Sequence, residues 1–142
     1  MITLRLPVLW GHMDAMGHVN NTLYFRYFES ARVEYMARIG LFARVDGGQD
    51  ILPILASTKC DYKVPLTYPD EIVVEARTVR VGRTSFTHEY RIWSTAQKCV
   101  SAVGEGTVVC VDKRTGKPVA VPDEMRGAIE REEGASLQLP LS

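Results

Sequence analysis

The chain has 142 residues, of which 46% are apolar and 24% are charged. This composition is that of an ordinary globular domain with one core, and it excludes a disordered or fibrous protein. The 17 basic residues balance the 17 acidic ones, so no bulk charge attracts the chain to nucleic acid or to an anionic membrane. No apolar run approaches the roughly 18 residues of a membrane span, and the first residues do not resemble a secretion signal. We therefore expect a cytoplasmic protein with a single domain over residues 1–142 and a polar tail from about residue 134.

The predicted elements begin with a strand over residues 3–10 and a long helix over residues 24–39. The apolar side chains of the helix recur at the spacing of one helical face: Tyr24, Phe28, Ala31, Tyr35 and Ile39. Asn20 and Asn21 can cap its start, and Gly40 can end it. Additional apolar residues off that face predict a central helix that packs against more than one surface.

After Pro53 the apolar pattern changes to a period of two, which is typical of strands. In the first of these strands, Ile54 and Thr58 should share one half-buried face. Three further strands follow over residues 71–81, 84–93 and 99–112, and a short amphipathic helix over residues 123–132. Strands joined by close turns form an antiparallel sheet, so the predicted fold class is α+β, with one long helix on one sheet.

The three cysteines, Cys60, Cys99 and Cys110, are odd in number and far apart in the sequence. This pattern fits neither a disulfide framework nor a Cys-x-x-Cys metal site. Each cysteine lies in a strand-like run beside small or apolar neighbours. We therefore expect free thiols that contribute to packing rather than to catalysis.

The segment from Trp10 to Asn21 places several polar groups directly before the long helix. Asp14 supplies a carboxylate and His18 an imidazole, and the helix start adds unpaired backbone N–H groups at the positive end of the helix dipole. Such donors can hold the oxygen that becomes negative when a carbonyl is attacked, at about 3 kcal/mol per donor. A carboxylate beside them can act as a general base or as a nucleophile. These groups predict an acyl-transfer site.

The stretch Asp14-Ala-Met-Gly-His-Val-Asn-Asn21, followed by Tyr24-Phe25-x-Tyr27-Phe28-Glu29-x-Ala31-Arg32, resembles the entrance and central helix of hydroxybenzoyl-CoA-type hotdog thioesterases. It is also similar to the corresponding segment of plant acyl-carrier-protein thioesterases. The resemblance implies a hotdog fold, in which an antiparallel sheet wraps around one long central helix. It implies an enzyme that hydrolyses the thioester of an acyl-CoA or an acyl carrier protein.

The resemblance also implies roles for individual residues. In that family the carboxylate at the position of Asp14 is the nucleophile or general base, and the oxyanion donor is a backbone amide at or beside Asn21. His18 matches a histidine implicated in catalysis in the plant enzymes, but hydroxybenzoyl-CoA-type members often carry an apolar residue there, so catalytic and structural roles stay open. Met16 stands where the plant enzymes have asparagine, so the role of the asparagine side-chain amide in orienting water is not assigned to this chain.

Four further residues are candidate substrate contacts. Gly17 and Tyr24 flank the start of the helix, where they would border the acyl thioester. Arg83 and Ser85 lie at a turn between two predicted strands, and similar thioesterases place nucleotide-binding residues around comparable turns. The guanidinium group of Arg83 and the hydroxyl group of Ser85 could therefore contact the phosphates of coenzyme A. More commonly, however, charged side chains in such a turn are simply exposed to solvent and bind no ligand.

The sequence leaves alternatives for several features. Asp14 with Gly17 three positions later is also ordinary Asx-turn chemistry. Glu29 and Arg32 have the spacing of a surface ion pair, and His88 is typical of a core histidine with satisfied hydrogen bonds. No metal site is evident and no redox cofactor is expected; coenzyme A would be part of the substrate.

The resemblance further implies a homodimer with sites between subunits, or a homotetramer. Two other functions remain open at this point. One is a hotdog hydratase or dehydratase, which changes the acyl chain without cleaving its thioester. The other is a module that binds acyl thioesters without catalysis.

Overall fold

The computed structural model describes residues 1–41, 51–134 and 137. In chain order the elements are β1 (Ile2–Val8), a short 3-10 helix (Trp10–His12), α1 (Asn21–Arg38), β2 (Ile51–Tyr62), β3 (Asp70–Val81), β4 (Ser85–Ser94), β5 (Cys99–Asp112) and α2 (Asp123–Glu133). Within these described ranges, no helix has the length and apolar character needed to cross a bilayer.

The strands form one antiparallel sheet in the order β1, β3, β4, β5, β2. The predicted α+β arrangement of one long helix on one antiparallel sheet is confirmed. β1 and β2 are the two edges of this sheet. The longer edge, β2, has 12 residues, and most of its side chains are exposed. The backbone groups on its outer side therefore have no neighbouring strand among the described residues.

The core lies between α1 and the inner face of the sheet. The ring of Phe28 stacks on the ring of Tyr90, with centroids 4.7 Å apart and an interplanar angle of 12°. Beneath this pair lies Gly104, where a Cβ atom would overlap the Phe28 ring and would lie 2.7 Å from the carbonyl oxygen of Lys59. The missing side chain at Gly104 therefore lets the helix approach the sheet closely.

The helix boundaries agree with the predicted capping residues. Asn20 is the N-cap, and its Oδ1 accepts a hydrogen bond of 3.0 Å from Thr22 N–H. Asn21 is the first residue of α1 rather than a cap. At the other end, Gly40 follows the C-cap with a φ of +80°, a left-handed conformation that costs glycine little. The prediction that β1 reaches Trp10 was wrong, because Trp10–His12 form the short 3-10 helix.

The side-chain alternation predicted for β2 was also wrong. Ile54 pairs with Val109 of β5, whereas Thr58 pairs with Gly106, because the register shifts between Leu55 and Ser57. One additional residue in a β-bulge moves all following side chains to the opposite face. Ile54 and Thr58 therefore lie on opposite faces, and the strand is more exposed than the half-buried prediction implied.

Two polar residues of the core depart from their predicted contacts. Arg32 is buried and donates to the Tyr90 hydroxyl over 3.3 Å, and no ion pair with Glu29 forms. His88 is fully buried, as predicted, but its ring nitrogens have no hydrogen-bond partner in the described part of the chain. Burial, with the charge of Arg32 as a smaller cause, lowers the pKa of His88 to about 3, which keeps its ring neutral.

All three cysteines are free, which confirms that prediction. Burial raises the pKa of Cys60 to about 11, and burial also raises the pKa of Cys110. These two thiols therefore stay protonated near neutral pH, as expected of packing residues. Most of the polar tail predicted from about residue 134 lies outside the described residues.

Candidate active site

α1 is preceded by an entrance loop, residues 13–19, that folds back on itself. Met13 and Val19 form an antiparallel bridge. On one side of the bridge, Asp14 N–H donates to the His18 carbonyl over 2.8 Å; on the other side, Asn20 N–H donates to the carbonyl of residue 12 over 2.9 Å. Asp14 is thereby held against the segment that leads into α1.

The carboxylate of Asp14 is oriented by its own loop. Its Oδ1 accepts hydrogen bonds from Met16 N–H over 2.8 Å and from His18 N–H over 3.4 Å. The Asp14 carbonyl accepts a third bond, of 3.1 Å, from Gly17 N–H, and Gly17 has a φ of +78° that favours glycine. An Asx turn is thus present. It uses one carboxylate oxygen, and Oδ2 has no hydrogen-bond donor among the residues described.

The helix start leaves one backbone donor open. Asn20 satisfies two of the first N–H groups, since its side chain accepts from Thr22 N–H over 3.0 Å and its carbonyl accepts from Leu23 N–H over 2.9 Å. Between them, Asn21 N–H has no acceptor in residues 1–41, 51–134 or 137. This open donor lies at the positive end of the α1 dipole.

A cavity of about 290 Å³ opens beside this helix start. It is lined by Val19, Asn21, Tyr24, Tyr62, Lys63, Val64 and Pro65. The predicted residues Asn21 and Tyr24 therefore share one cavity wall. Asp14, Gly17 and His18 belong to the adjoining loop, where His18 is exposed and its imidazole contacts no hydrogen-bond partner in the described structure.

Two tyrosines connect the cavity walls. Tyr62, the last residue of β2, donates its hydroxyl to the Asn21 carbonyl over 2.9 Å. Its ring lies edge-on against Tyr24, with centroids 4.8 Å apart. The Tyr24 hydroxyl in turn accepts from Leu66 N–H over 3.1 Å. Tyr62 was not among the predicted site residues, because strand alternation does not indicate which strand end meets the helix.

A second residue absent from the predicted site is His12. Its Nδ1 accepts from Leu9 N–H over 3.2 Å and lies 2.9 Å from the Tyr27 hydroxyl. The pKa of Tyr27 is raised to about 12, mainly by burial and to a smaller extent by the neighbouring Tyr24, so this hydroxyl keeps its proton. His12 therefore anchors the start of the entrance loop to α1. Its position two residues before Asp14 was the only sequence signal for this role.

The predicted coenzyme A contacts Arg83 and Ser85 lie elsewhere in one protomer. β3 begins near the entrance loop, where its first residue Asp70 pairs with Val8 at the end of β1. Ser85 comes after the opposite end of β3. The 12 residues of β3 span about 36 Å at roughly 3.3 Å per residue. A single protomer therefore does not bring Arg83 and Ser85 to Asp14.

A larger cavity, of about 390 Å³, lies on a charged part of the sheet. Its charges are paired across the strands: Arg77 with Glu89 at 2.7 Å, Arg91 with Glu75 at 2.6 Å, and Lys59 with Glu105 at 3.2 Å. These exposed pairs are typical of a solvated sheet face. In the part of the chain that is described, no group of three His, Cys, Asp or Glu residues could hold a metal ion. The expectation that neither a metal nor a redox cofactor takes part stays a prediction.

Comparison with known proteins places the chain in one family. Residues 8–129 match the model of the thioesterase-like superfamily. The acyl-CoA thioesterase YbgC of Haemophilus influenzae is 29% identical over 122 residues, which cover 85% of this chain and 88% of YbgC. The long-chain acyl-CoA thioesterase FadM of Escherichia coli is 24% identical over 127 residues, covering 89% of this chain and 96% of FadM.

A solved structure gives the same result for the fold. The thioesterase of Thermus thermophilus, complexed with coenzyme A and Zn, superposes with a TM-score of 0.82 at 31% identity and covers 95% of this chain and 96% of its own. The hotdog fold implied by the entrance motif is therefore confirmed. The chain belongs to the thioesterase-like superfamily and is a hotdog-fold thioester hydrolase.

Proposed function

We propose that this protein hydrolyses an acyl-CoA to the free acid and coenzyme A, with Asp14 as general base or nucleophile and Asn21 N–H as oxyanion donor. One observation carries this proposal: the entrance loop, which hydrogen-bonds the Asp14 carboxylate through one oxygen, leads directly into α1, whose first residue carries an open backbone donor. The thioester carbonyl would lie between the two groups, beside the cavity that Tyr24 lines.

Asp14 can serve the reaction in two ways. As a general base, its Oδ2 takes a proton from water, and the water oxygen adds to the thioester carbon. The C–S bond then breaks, and the leaving thiolate recovers the proton. As a nucleophile, the same oxygen attacks the carbon and expels the thiolate, and water then hydrolyses the resulting anhydride. Both routes need a carboxylate oxygen of Asp14 that accepts no hydrogen bond from the loop. Oδ2 meets this need, because the loop N–H groups bond only Oδ1.

Asn21 N–H stabilises the negative oxygen that forms in either route. Its position at the first turn of α1 adds the positive end of the helix dipole. A donor of this kind is worth about 3 kcal/mol of transition-state stabilisation. His18, exposed on the same loop, is a second candidate for orienting water or polarising the thioester, and the space beside Gly17, where a Cβ would meet nothing within 4 Å, is open to the substrate.

Acyl-CoA is the proposed substrate class because YbgC and FadM are acyl-CoA thioesterases and the Thermus thermophilus thioesterase contains coenzyme A. The exposed side chains of Trp10, before the entrance loop, and of Met16, within it, offer apolar surface to an acyl chain or its pantetheine arm. An acyl carrier protein presents the same thioester on the same arm and is the alternative carrier.

We further propose that the working form is a homodimer joined along β2. This edge strand exposes Ile54 and Leu55, and apolar residues on an unpaired edge favour pairing with another strand. The cavity of about 290 Å³ is slightly smaller than typical ligand sites, which span roughly 300–1,000 Å³, and in this dimer a second copy would enlarge it.

A two-fold axis between antiparallel β2 strands would also reverse the direction of the partner's sheet. The end of the sheet that carries Arg83 and Ser85 in one copy would then lie at the end that carries Asp14 in the other. This geometry gives the two residues a route to the phosphates of coenzyme A that a single protomer lacks. A tetramer would require a further contact surface.

The test is product analysis with a panel of aliphatic and aromatic acyl-CoAs and acyl carrier proteins. Hydrolysis predicts one free thiol and one free acid per substrate consumed. A hydratase or dehydratase would change the acyl chain without releasing thiol, and a binding module would retain the substrate unchanged. Absence of thiol release from every substrate would contradict the proposed function.

A further inference from the structure

We infer that Tyr62 is a positioning residue for the oxyanion donor. Its hydroxyl fixes the first residue of α1 from the end of β2, so that Asn21 N–H stays aimed at the thioester oxygen. This inference rests on the proposed role of Asn21 N–H and adds a residue that acts on the donor rather than on the substrate.

The contacts of Tyr62 carry the inference. Its hydroxyl donates to the Asn21 carbonyl over 2.9 Å, and its ring packs edge-on against Tyr24. The segment that follows β2 then makes two more bonds to this region, from Leu66 N–H to the Tyr24 hydroxyl over 3.1 Å and from Val19 N–H to the Leu66 carbonyl over 2.8 Å. Three bonds therefore attach the start of α1 and the residue pair before it to the end of β2 and the segment that follows it.

The Tyr62 bond differs from the other two because it reaches the residue that carries the open donor. Helix ends fray, and the first turn of α1 lacks the full set of helix bonds that hold its interior. A carbonyl oxygen has two lone pairs, so the Asn21 carbonyl can accept from Tyr62 in addition to its helix partner. This extra bond restricts rotation of the Asn21 backbone and hence the direction of its N–H.

The protonation state of Tyr62 suits a permanent donor. The pKa of this phenol is raised above its usual value, mainly by burial and to a smaller extent by the neighbouring Cys60. The hydroxyl therefore keeps its proton throughout the neutral range. Because Tyr62 also lies on the edge strand, pairing of a second copy along β2 would restrict it further and connect assembly to the geometry of the oxyanion donor.

The chain provides a matched control for the test. Tyr62→Phe removes the hydroxyl and keeps the ring. Tyr68→Phe makes the same change at a tyrosine of equal exposure, 48% against 46%, whose hydroxyl has no partner in the described residues. We expect Tyr62→Phe to lower kcat for acyl-CoA hydrolysis about five- to tenfold, the effect of one lost hydrogen bond together with donor misalignment. KM, thermal unfolding midpoint and oligomeric state should stay unchanged, and Tyr68→Phe should match the wild type.

A second measurement separates this inference from the proposed function. In the wild type and both variants, the carbonyl ¹³C shift of Asn21 reports the Tyr62 bond directly, because this carbonyl is the acceptor of the bond. Tyr62→Phe should move this carbonyl shift and Tyr68→Phe should leave it unchanged, whether or not the protein is active. If the wild type is active and Tyr62→Phe has the same kcat, the inference is overturned. It is also overturned if Tyr62→Phe changes only KM or only the stability of the protein. If the wild type releases no thiol, the proposed function fails, and an unchanged Asn21 carbonyl shift in Tyr62→Phe would overturn the Tyr62 bond as well.

Discussion

The Asp14 carboxylate accepts a hydrogen bond of 2.8 Å from the backbone N–H of Met16. Asp14 therefore closes the entrance loop and, in the proposed reaction, also supplies the charged oxygen. An asparagine side chain can accept the same loop bond through its amide oxygen, but it has no negative charge and takes up no proton near neutral pH. One substitution thus separates the structural role of this residue from its chemical role.

The close approach of α1 to the sheet depends on the absence of a side chain at Gly104. Gly104→Ala would place a Cβ against the Phe28 ring and 2.7 Å from the carbonyl oxygen of Lys59. We expect the free energy of unfolding in urea to fall by about 1–3 kcal/mol, as for other overpacked cores. Gly11→Ala is the control, since a Cβ there meets nothing within 4 Å. Equal stability of the two variants would refute this account of the helix and sheet contact.

Buried His88 predicts a pH dependence of stability. Its pKa is about 3 in the folded protein and 6.5 in a solvated chain. Between these values the unfolded state binds a proton that the folded state does not, so stability falls as the pH drops from about 6.5 towards 3, by at most about 1.4 kcal/mol per pH unit. Above about pH 6.5 both states are neutral and His88 contributes no pH dependence.

The measurement is the difference in unfolding free energy between the wild type and His88→Phe across this pH range. Phenylalanine keeps an aromatic ring beside Tyr35 and removes the titrating group. Because carboxylates titrate in both proteins, their contribution largely cancels in the difference. The wild type should lose stability more steeply on acidification. A difference that does not vary between pH 6.5 and 4 would show that His88 is not held neutral by burial.

The exposed edge of β2 predicts the assembly of the protein. In sedimentation velocity, the wild type should migrate as a dimer, and Leu55→Lys should shift it to the monomer, since a lysine on an edge strand opposes strand pairing. Val33→Lys changes an equally apolar and similarly exposed residue on α1 and should leave the dimer intact. A monomeric wild type, or a dimer that survives Leu55→Lys, would exclude the β2 interface.

Local sequence patterns predicted the features of this fold that depend on neighbouring residues. Asn20 and Gly40 mark the ends of α1, because capping depends on a few adjacent backbone groups. The period of two likewise indicated β3, β4 and β5 to within one residue at each end. The motif from Asp14 to Asn21 is also local, and its polar groups indicated the start of α1 as the candidate site.

Features that depend on distant residues were not readable from the sequence. The bulge at β2 is defined by its register against β5, and Arg32 turns inward to a tyrosine 58 positions away. Tyr62 meets Asn21 across 41 positions. Each of these contacts exists only after the sheet has closed on α1, so a periodicity in one segment does not encode it. The same limit applies to Arg83 and Ser85, which a single protomer does not bring to Asp14 and which reach it only in the dimer that we propose.

The most direct measurement is acyl-CoA hydrolysis by Asp14→Asn, followed as thiol release alongside the wild type. The amide preserves the bond from Met16, so the variant should fold with an unchanged unfolding midpoint, while kcat/KM should fall by at least about 100-fold through loss of the base or nucleophile. Asp123→Asn, which removes an exposed carboxylate from the first turn of α2, should retain full activity. A folded Asp14→Asn protein that releases thiol at the wild-type rate would contradict the proposed mechanism.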